Sequence, residues 1–252
     1  MVSSQQALRL FVLHHAGGSH VTYRHWPAAL PGHWDVTLLD APGHGRRIGS
    51  QPLDDAGRLA DFLLGEIEPE LPVPYALFGH SMGALVAYEI ARRATDRGLP
   101  VPVWLGVSAR PAPVASPAQG RSPGWHALPD AALRTRLQGL GGTPAGILDD
   151  PSLWALYAPV IRADLRVVES WRPTPGAGPL PTALSAYAGR EDFAVSPLMS
   201  GWESHAEHFL GLRSFNGGHF YFLDDPEPLL RSVERDAETA LRILRERSTA
   251  VQ

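Results

Sequence analysis

The sequence contains no cysteine and no lysine; all 22 of its basic residues are arginine. The first absence excludes a thiol nucleophile, a disulfide framework, thiolate zinc sites and iron–sulfur clusters. The second excludes Schiff-base chemistry, a Ser–Lys dyad and the lysine of a phosphate-binding loop. Covalent chemistry is left to Ser, Thr, Asp, Glu, His or Tyr. No apolar run approaches the ~20 residues needed to span a bilayer. The start, Met1 to Arg9, lacks the basic and apolar segments of a secretion signal. The net charge of −4 gives no basic face for nucleic acid. A cytoplasmic enzyme, with neither a membrane nor a nucleic-acid partner, is the expectation.

The 252 residues are 44% hydrophobic and 19% charged, enough to bury a large core. Short apolar runs alternate with longer amphipathic ones, the pattern of a mostly parallel sheet covered by helices on both faces. Strands are expected at Leu8–Leu13, Asp35–Asp40, Tyr75–Phe78, Val103–Ser108, Thr182–Ala188 and Leu212–Phe215. Helices are expected at Leu53–Leu71, at Met82–Arg97 before Gly98, and at Glu227–Arg247, capped by Asp224 or Asp225. From Arg110 to Pro175 there is no clear strand. Two helical patches, Ala131–Leu140 and Pro151–Trp171, sit among Pro/Gly-rich stretches. So long an insertion reads as a helical subdomain over the site, a lid.

The sharpest signal is Gly79-His80-Ser81-Met82-Gly83. A buried strand runs into G-x-S-x-G and straight into an amphipathic helix. That context makes Ser81 a nucleophile on a tight, strained turn, with a helix N-terminus beneath it. A serine hydroxyl needs a base and a carboxylate to orient that base. In a strand-and-helix hydrolase the chain order is Ser, acid, His, with His after the last strand. His219, in Asn216-Gly217-Gly218-His219, fits. Asp192, in Gly189-Arg190-Glu191-Asp192, is the expected acid, with Glu191 the runner-up. An acid one strand earlier is ruled out, because Ala109-Arg110-Pro111 holds no carboxylate. His80 is expected to pack or orient. His205 and His208 read as solvated surface residues, with no carboxylates to make a metal site of them.

An oxyanion hole needs two backbone N–H groups. One should come from Met82, directly after the nucleophile. The other should come from His14-His15-Ala16-Gly17-Gly18, where glycines let the backbone approach a ligand. Ala16 is favoured and Gly17 is the alternative; His15 and Gly17 are expected to line the bound substrate.

Together these segments resemble the discrete type II thioesterases of polyketide and nonribosomal peptide synthesis. The residues that carry the resemblance are His15-Ala16-Gly17-Gly18, Tyr23, Trp26, Pro42-Gly43-His44-Gly45-Arg46 and Gly79 to Ala84. Leu140-Gly141-Gly142-Thr143-Pro144, Arg162-Ala163-Asp164, Gly189 to Asp192 and Gly217-Gly218-His219-Phe220 complete the set. His14 and His44 depart from the family, which commonly has Pro and Arg there. The resemblance implies an α/β-hydrolase fold with a helical lid. It implies hydrolysis of acyl groups from the phosphopantetheine arm of an acyl or peptidyl carrier protein, editing stalled or aberrant units. No cofactor or metal is implied, and a monomer is expected.

The alternatives are a carboxylester hydrolase or lipase of the same fold, a product-releasing acyltransferase, and a non-catalytic relative. Both ends of the chain lie within a few residues of the expected fold, which favours a discrete hydrolase over a releasing domain. Apolar lid residues Leu153, Trp154, Leu156, Tyr157, Val160 and Ile161 are candidates to shelter an acyl chain, though packing accounts for most of them.

Overall fold

A computed structural model describes residues 7–71, 74–113 and 124–250. Stretch 114–123 of the expected 110–175 insertion therefore lies outside the described residues, as does 1–6 at the start. In chain order the elements are β1 (Leu8–Leu13), α1 (Trp26–Ala29), β2 (Trp34–Leu39), α2 (Ala56–Ile67), β3 (Tyr75–His80), α3 (Met82–Asp96) and β4 (Trp104–Ser108). Then come α4 (Asp130–Leu140), α5 (Ala145–Asp149), α6 (Pro151–Ser170), β5 (Leu180–Gly189), β6 (Ala206–Phe215) and α7 (Glu227–Ala250).

The six strands form one sheet in the order β2-β1-β3-β4-β5-β6, and every neighbouring pair is parallel. Residues of alternate parity enter opposite cores, as the pleat dictates. Leu8, Leu10 and Val12 pack with Phe78, Trp104 and α7 on one face. Phe11, Leu13, Leu77 and Val107 pack with α2 and α3 on the other. A polar anchor holds α7: Tyr187 donates to the buried Asp236 at 2.7 Å, and Arg213 Nε donates to the same oxygen at 2.8 Å. Asp225, rather than Asp224, meets the first turn of α7, accepting from the Glu227 amide at 3.3 Å.

β6 begins six residues before the expected strand. Its early half is partly buried, pairs only with β5, and is interrupted by Gly211 at φ +110° and a register shift opposite Leu184 and Ser185. That removes the clean alternation by which a strand is recognised. A 3₁₀ segment at Ser196–His205 was not expected. It half-buries His205 against Tyr88 and Trp202, with the ring bonded to the Pro113 carbonyl at 3.1 Å. His205 is therefore not a solvated surface residue.

Between β4 and β5 the described chain is helical. Leu133, Leu137, Leu148, Trp154, Ala158, Ile161 and Leu165 form a separate small core. The same α6 continues into the main core through Val167 and Val168. Among the described residues no helix is long and apolar enough to cross a membrane.

Candidate active site

Parallel strands bring their C-terminal ends to one edge, and the loops leaving that edge form the site. Leu13 pairs with Gly79, Gly79 with Val107, and Gly189 with Phe215. The segments holding His14–Gly18, Ser81, Asp192 and His219 thus leave the same side of the sheet.

Ser81 has φ +55° and ψ −111°, a region that residues with side chains rarely enter. Its amide donates to the Ser108 carbonyl at 2.8 Å. The crossing of strand and helix explains the flanking glycines. A Cβ on Gly79 would stand 2.1 Å from the Gly83 carbonyl oxygen, and one on Gly83 would stand 2.3 Å from that of Leu13. Met82, 1% exposed, opens the 15-residue helix α3.

His219 Nδ1 donates to Asp192 Oδ2 at 2.6 Å. Both side chains are largely buried. Glu191 is instead exposed, its amide donating to the Gly217 carbonyl at 3.0 Å. Gly189 is required for these loops to meet, because a Cβ there would lie 2.0 Å from the Gly218 carbonyl oxygen. The His219 ring lies 5.2 Å, centroid to centroid, from that of His80, the residue before Ser81.

His80 is fully buried. Its Nδ1 bonds Ser108 Oγ at 2.8 Å, and Ser108 Oγ bonds the Tyr221 hydroxyl at 2.7 Å. Burial, reinforced by His219 and His15, pushes its pKa well below the ordinary value. His80 is thus a neutral strut beneath the elbow. Ser108 and Tyr221 had no signal in the sequence, since neither lies in a recognisable motif.

The loop after β1 closes a turn in which Gly18 N donates to the His15 carbonyl at 2.9 Å. Gly17, at φ +74°, takes the third position, as a type II turn requires. The Gly17 amide is engaged, donating to Asp164 Oδ2 of α6 at 2.7 Å. That leaves Ala16 the better candidate for a free amide. His15 is buried beneath, its ring 4.7 Å from that of Phe220. Burial, with His14 and His219 nearby, pushes His15 down to about 3.

The loop after β2 supplies the rim. Asp40 accepts from the His20 amide at 2.8 Å and the Arg46 amide at 3.0 Å, tying two rim loops together. Burial opposes the charge on Asp40, but these donors outweigh it and hold the carboxyl below its usual range. Gly45 sits where a Cβ would lie 2.5 Å from the Asp40 carboxylate. Arg46 is exposed, whereas Arg47 pairs with Glu66 and lies over the Phe62 ring. Of the apolar insertion residues, Trp154 and Ile161 are packed in its core; Leu153 and Leu156 are exposed. Among the described residues no cluster of three His, Asp or Glu is arranged to hold a metal ion.

A parallel sheet between helix layers, with a serine on a strained strand-to-helix turn, defines an α/β-hydrolase. Residues 8–237 match the family described as Thioesterase domain, and the chain belongs to that family. It is 30% identical to the gramicidin S biosynthesis protein GrsT of Aneurinibacillus migulanus over 88% of this chain and 86% of that one. Among solved structures it is 36% identical to the type II thioesterase BorB from the borrelidin biosynthetic cluster, with a TM-score of 0.79 over 92% of this chain and 93% of that one. RedJ, a thioesterase from the prodiginine pathway of Streptomyces coelicolor, is 30% identical with a TM-score of 0.81, covering 94% and 90%. The resemblance read from the motifs to type II thioesterases of these biosynthetic clusters therefore holds.

Proposed function

We propose that this chain hydrolyses acyl thioesters on the phosphopantetheine arm of an acyl or peptidyl carrier protein, through an ester on Ser81. Its role would be to clear stalled or aberrant acyl units from a polyketide or nonribosomal peptide synthase. The observation that carries the reading is the His219–Asp192 hydrogen bond, 2.6 Å, beside the strained turn at Ser81.

In this reading His219 takes the proton of Ser81 Oγ as the oxygen attacks the thioester carbonyl carbon. The C–S bond breaks, and the proton passes from His219 to the leaving thiolate. Water then gives a proton to His219 and attacks the ester; the acid departs and Ser81 regains its proton. Asp192 orients the imidazole and stabilises its transient positive charge. The amides of Ala16 and Met82, with the N-terminus of α3, receive the oxyanion. These steps need no cofactor or metal, and the phosphopantetheine belongs to the substrate. His15 supports the oxyanion loop from below.

The helices of 110–175 act as a lid, with Gly142 against Phe220 and Ile161 against Gly17 as the points where they press on the site. The enzyme works as a cytoplasmic monomer beside its synthase. The test is a panel of acyl-carrier thioesters assayed beside simple oxygen esters, with fluorophosphonate labelling of Ser81. Preferential hydrolysis of the carrier thioesters supports the reading. Preference for oxygen esters would make the chain a carboxylester hydrolase, and transfer or cyclisation of the acyl group would make it a releasing acyltransferase.

A further inference from the structure

One carboxylate joins the inserted helices to the loop after β1. Asp164 of α6, 1% exposed, accepts from the Gly17 amide at 2.7 Å and from His44 Nε2 at 2.8 Å, both at Oδ2. His44 Nδ1 donates to the Pro42 carbonyl at 3.1 Å. A carbonyl and a carboxylate accept, so this arrangement suits a ring protonated at both nitrogens, an imidazolium. A buried cation persists where an anion and hydrogen bonds compensate it, as Asp164 and Pro42 do here.

The other groups facing His44 are consistent with that state. His14 packs on it with ring centroids 4.6 Å apart. His14 Nδ1 donates to the His15 carbonyl at 2.8 Å and Nε2 accepts from the Ala41 amide at 3.1 Å, which fixes a neutral ring. Asp40 favours charge on His14, and His44 opposes charge on both His14 and His15. Burial works against charge on His44, yet Asp164 and the hydrogen bonds outweigh it and raise its pKa.

The turn at His15–Gly18 has a middle peptide, between Ala16 and Gly17, that can rotate by half a turn and convert the turn type. The Asp164 carboxylate attracts the Gly17 N–H and repels the Ala16 carbonyl, so it selects the observed orientation, and the Ala16 N–H on the preceding peptide is held through the turn so fixed. We propose that Asp164 and the His44 imidazolium are positioning residues for the oxyanion hole: the cation fixes the carboxylate, and the carboxylate sets the turn that presents the Ala16 amide. The inference rests on the Ser81 acyl-transfer reading and adds to it a link between the inserted helices and the reacting oxygen.

The test compares kcat against pH for the wild type, Asp164→Asn, His44→Gln and His44→Arg on one carrier-bound thioester, with melting temperatures and Ser81 fluorophosphonate labelling recorded throughout. Asp164→Asn should lower kcat by about 10- to 100-fold with KM within about threefold, because a transition-state contact is disturbed. His44→Gln should behave similarly at all pH values. The wild type should lose about tenfold on its alkaline side as His44 gives up its proton, and His44→Arg, a permanent cation, should abolish that loss. An unchanged alkaline limb in His44→Arg, or Asp164→Asn with kcat within twofold of wild type, would overturn the proposal. Should His44→Arg not fold, NMR titration of the wild-type His44 ring decides: a midpoint below the ordinary value of about 6.5 overturns it. Absence of labelling at Ser81 in the wild type would strike the acyl-transfer reading itself. Normal labelling with an unchanged limb would strike only the positioning role.

Discussion

The carbonyl oxygen of Gly83 occupies the space where a side chain on Gly79 would begin, 2.1 Å from an ideal Cβ. Strand β3 and helix α3 pass each other at backbone contact, and Ser81 is strained because the turn between them has no room to relax. Gly79→Ala is therefore expected to destabilise the protein by about 3 kcal/mol or more, through backbone displacement rather than lost burial. Gly65, in α2, has nothing within 4 Å of its Cβ position, so Gly65→Ala should be neutral or stabilising by up to about 1 kcal/mol. Urea denaturation of both variants checks this. Equal stabilities would show that the crossing is looser than described.

Ser81→Ala should remove turnover and leave the melting temperature near that of wild type. His219→Ala should be comparably damaging, and the double variant little worse, because the two residues act as a unit. Asp192→Asn should reduce kcat by up to about 10⁴-fold, since an amide favours the wrong imidazole tautomer. Glu191→Gln should be nearly silent. A larger loss at Glu191 than at Asp192 would reassign the acid.

Three buried histidines govern acid stability. His14 is pushed down to about 4 and His15 to about 3, chiefly by burial, and His80 lies well below its ordinary range. Groups lowered on folding bind more protons when unfolded, so their stabilisation is complete above the unfolded value of about 6.5 and is lost as pH falls. Each proton taken up corresponds to about 1.4 kcal/mol per pH unit. His44, raised on folding, has the opposite sign: it stabilises below that value and ceases to do so as pH rises through its folded pKa. Unfolding near pH 5 should take up close to three histidine protons. Urea midpoints that stay level from pH 6.5 to pH 5 would contradict the neutral burial of these rings.

Most of the fold was legible because the central strands are continuous apolar runs and the helices carry apolar residues at three- and four-residue spacing. β1 fell at its expected bounds, and α3 and α6 within a residue of theirs. The weaker edge β6 and the 3₁₀ segment at Ser196–His205 carry neither period. The segments of Ser81, Asp192 and His219, which the structure brings to one side of the sheet, stood out because each follows a strand end and has a glycine within three residues. The buried pair of His44 and Asp164 was not. The two residues lie in separate motifs 120 positions apart, and nothing local states that one accepts a hydrogen bond from the other. The contact of His14 with His44, 30 positions apart, was hidden likewise, because the sequence displayed it only as two unrelated departures from a family pattern.

Carrier recognition should depend on Arg46 more than on Arg47. Arg46 has a side chain 63% exposed, while Arg47 is held by Glu66 and the Phe62 ring. Carrier proteins are acidic and this chain has a net charge of −4, so attraction has to be local. Arg46→Ala is expected to raise KM several-fold for carrier-bound substrate and leave an acyl-pantetheine unaffected. Arg47→Ala should instead lower stability by up to about 1 kcal/mol. An equal loss on both substrates for Arg46→Ala would place that residue in the pocket or the fold, not at a docking surface.

Helix α6 has Trp154, Ala158 and Ile161 in the small core and Val167 in the main one. It therefore behaves as a beam fixed at one end, not as a flap on a hinge. A swing of α6 would have to pull Val167 and Val168 out of the main core, where α6 meets α2 and α3. We expect entry for a long acyl arm to be made by lifting α4 and α5, which takes Leu133, Leu137 and Leu148 out of the small core and leaves Val167 in place. Hydrogen exchange should then be faster across 130–149 than across 161–170, and a bound acyl analogue should slow the first stretch while leaving the second unchanged.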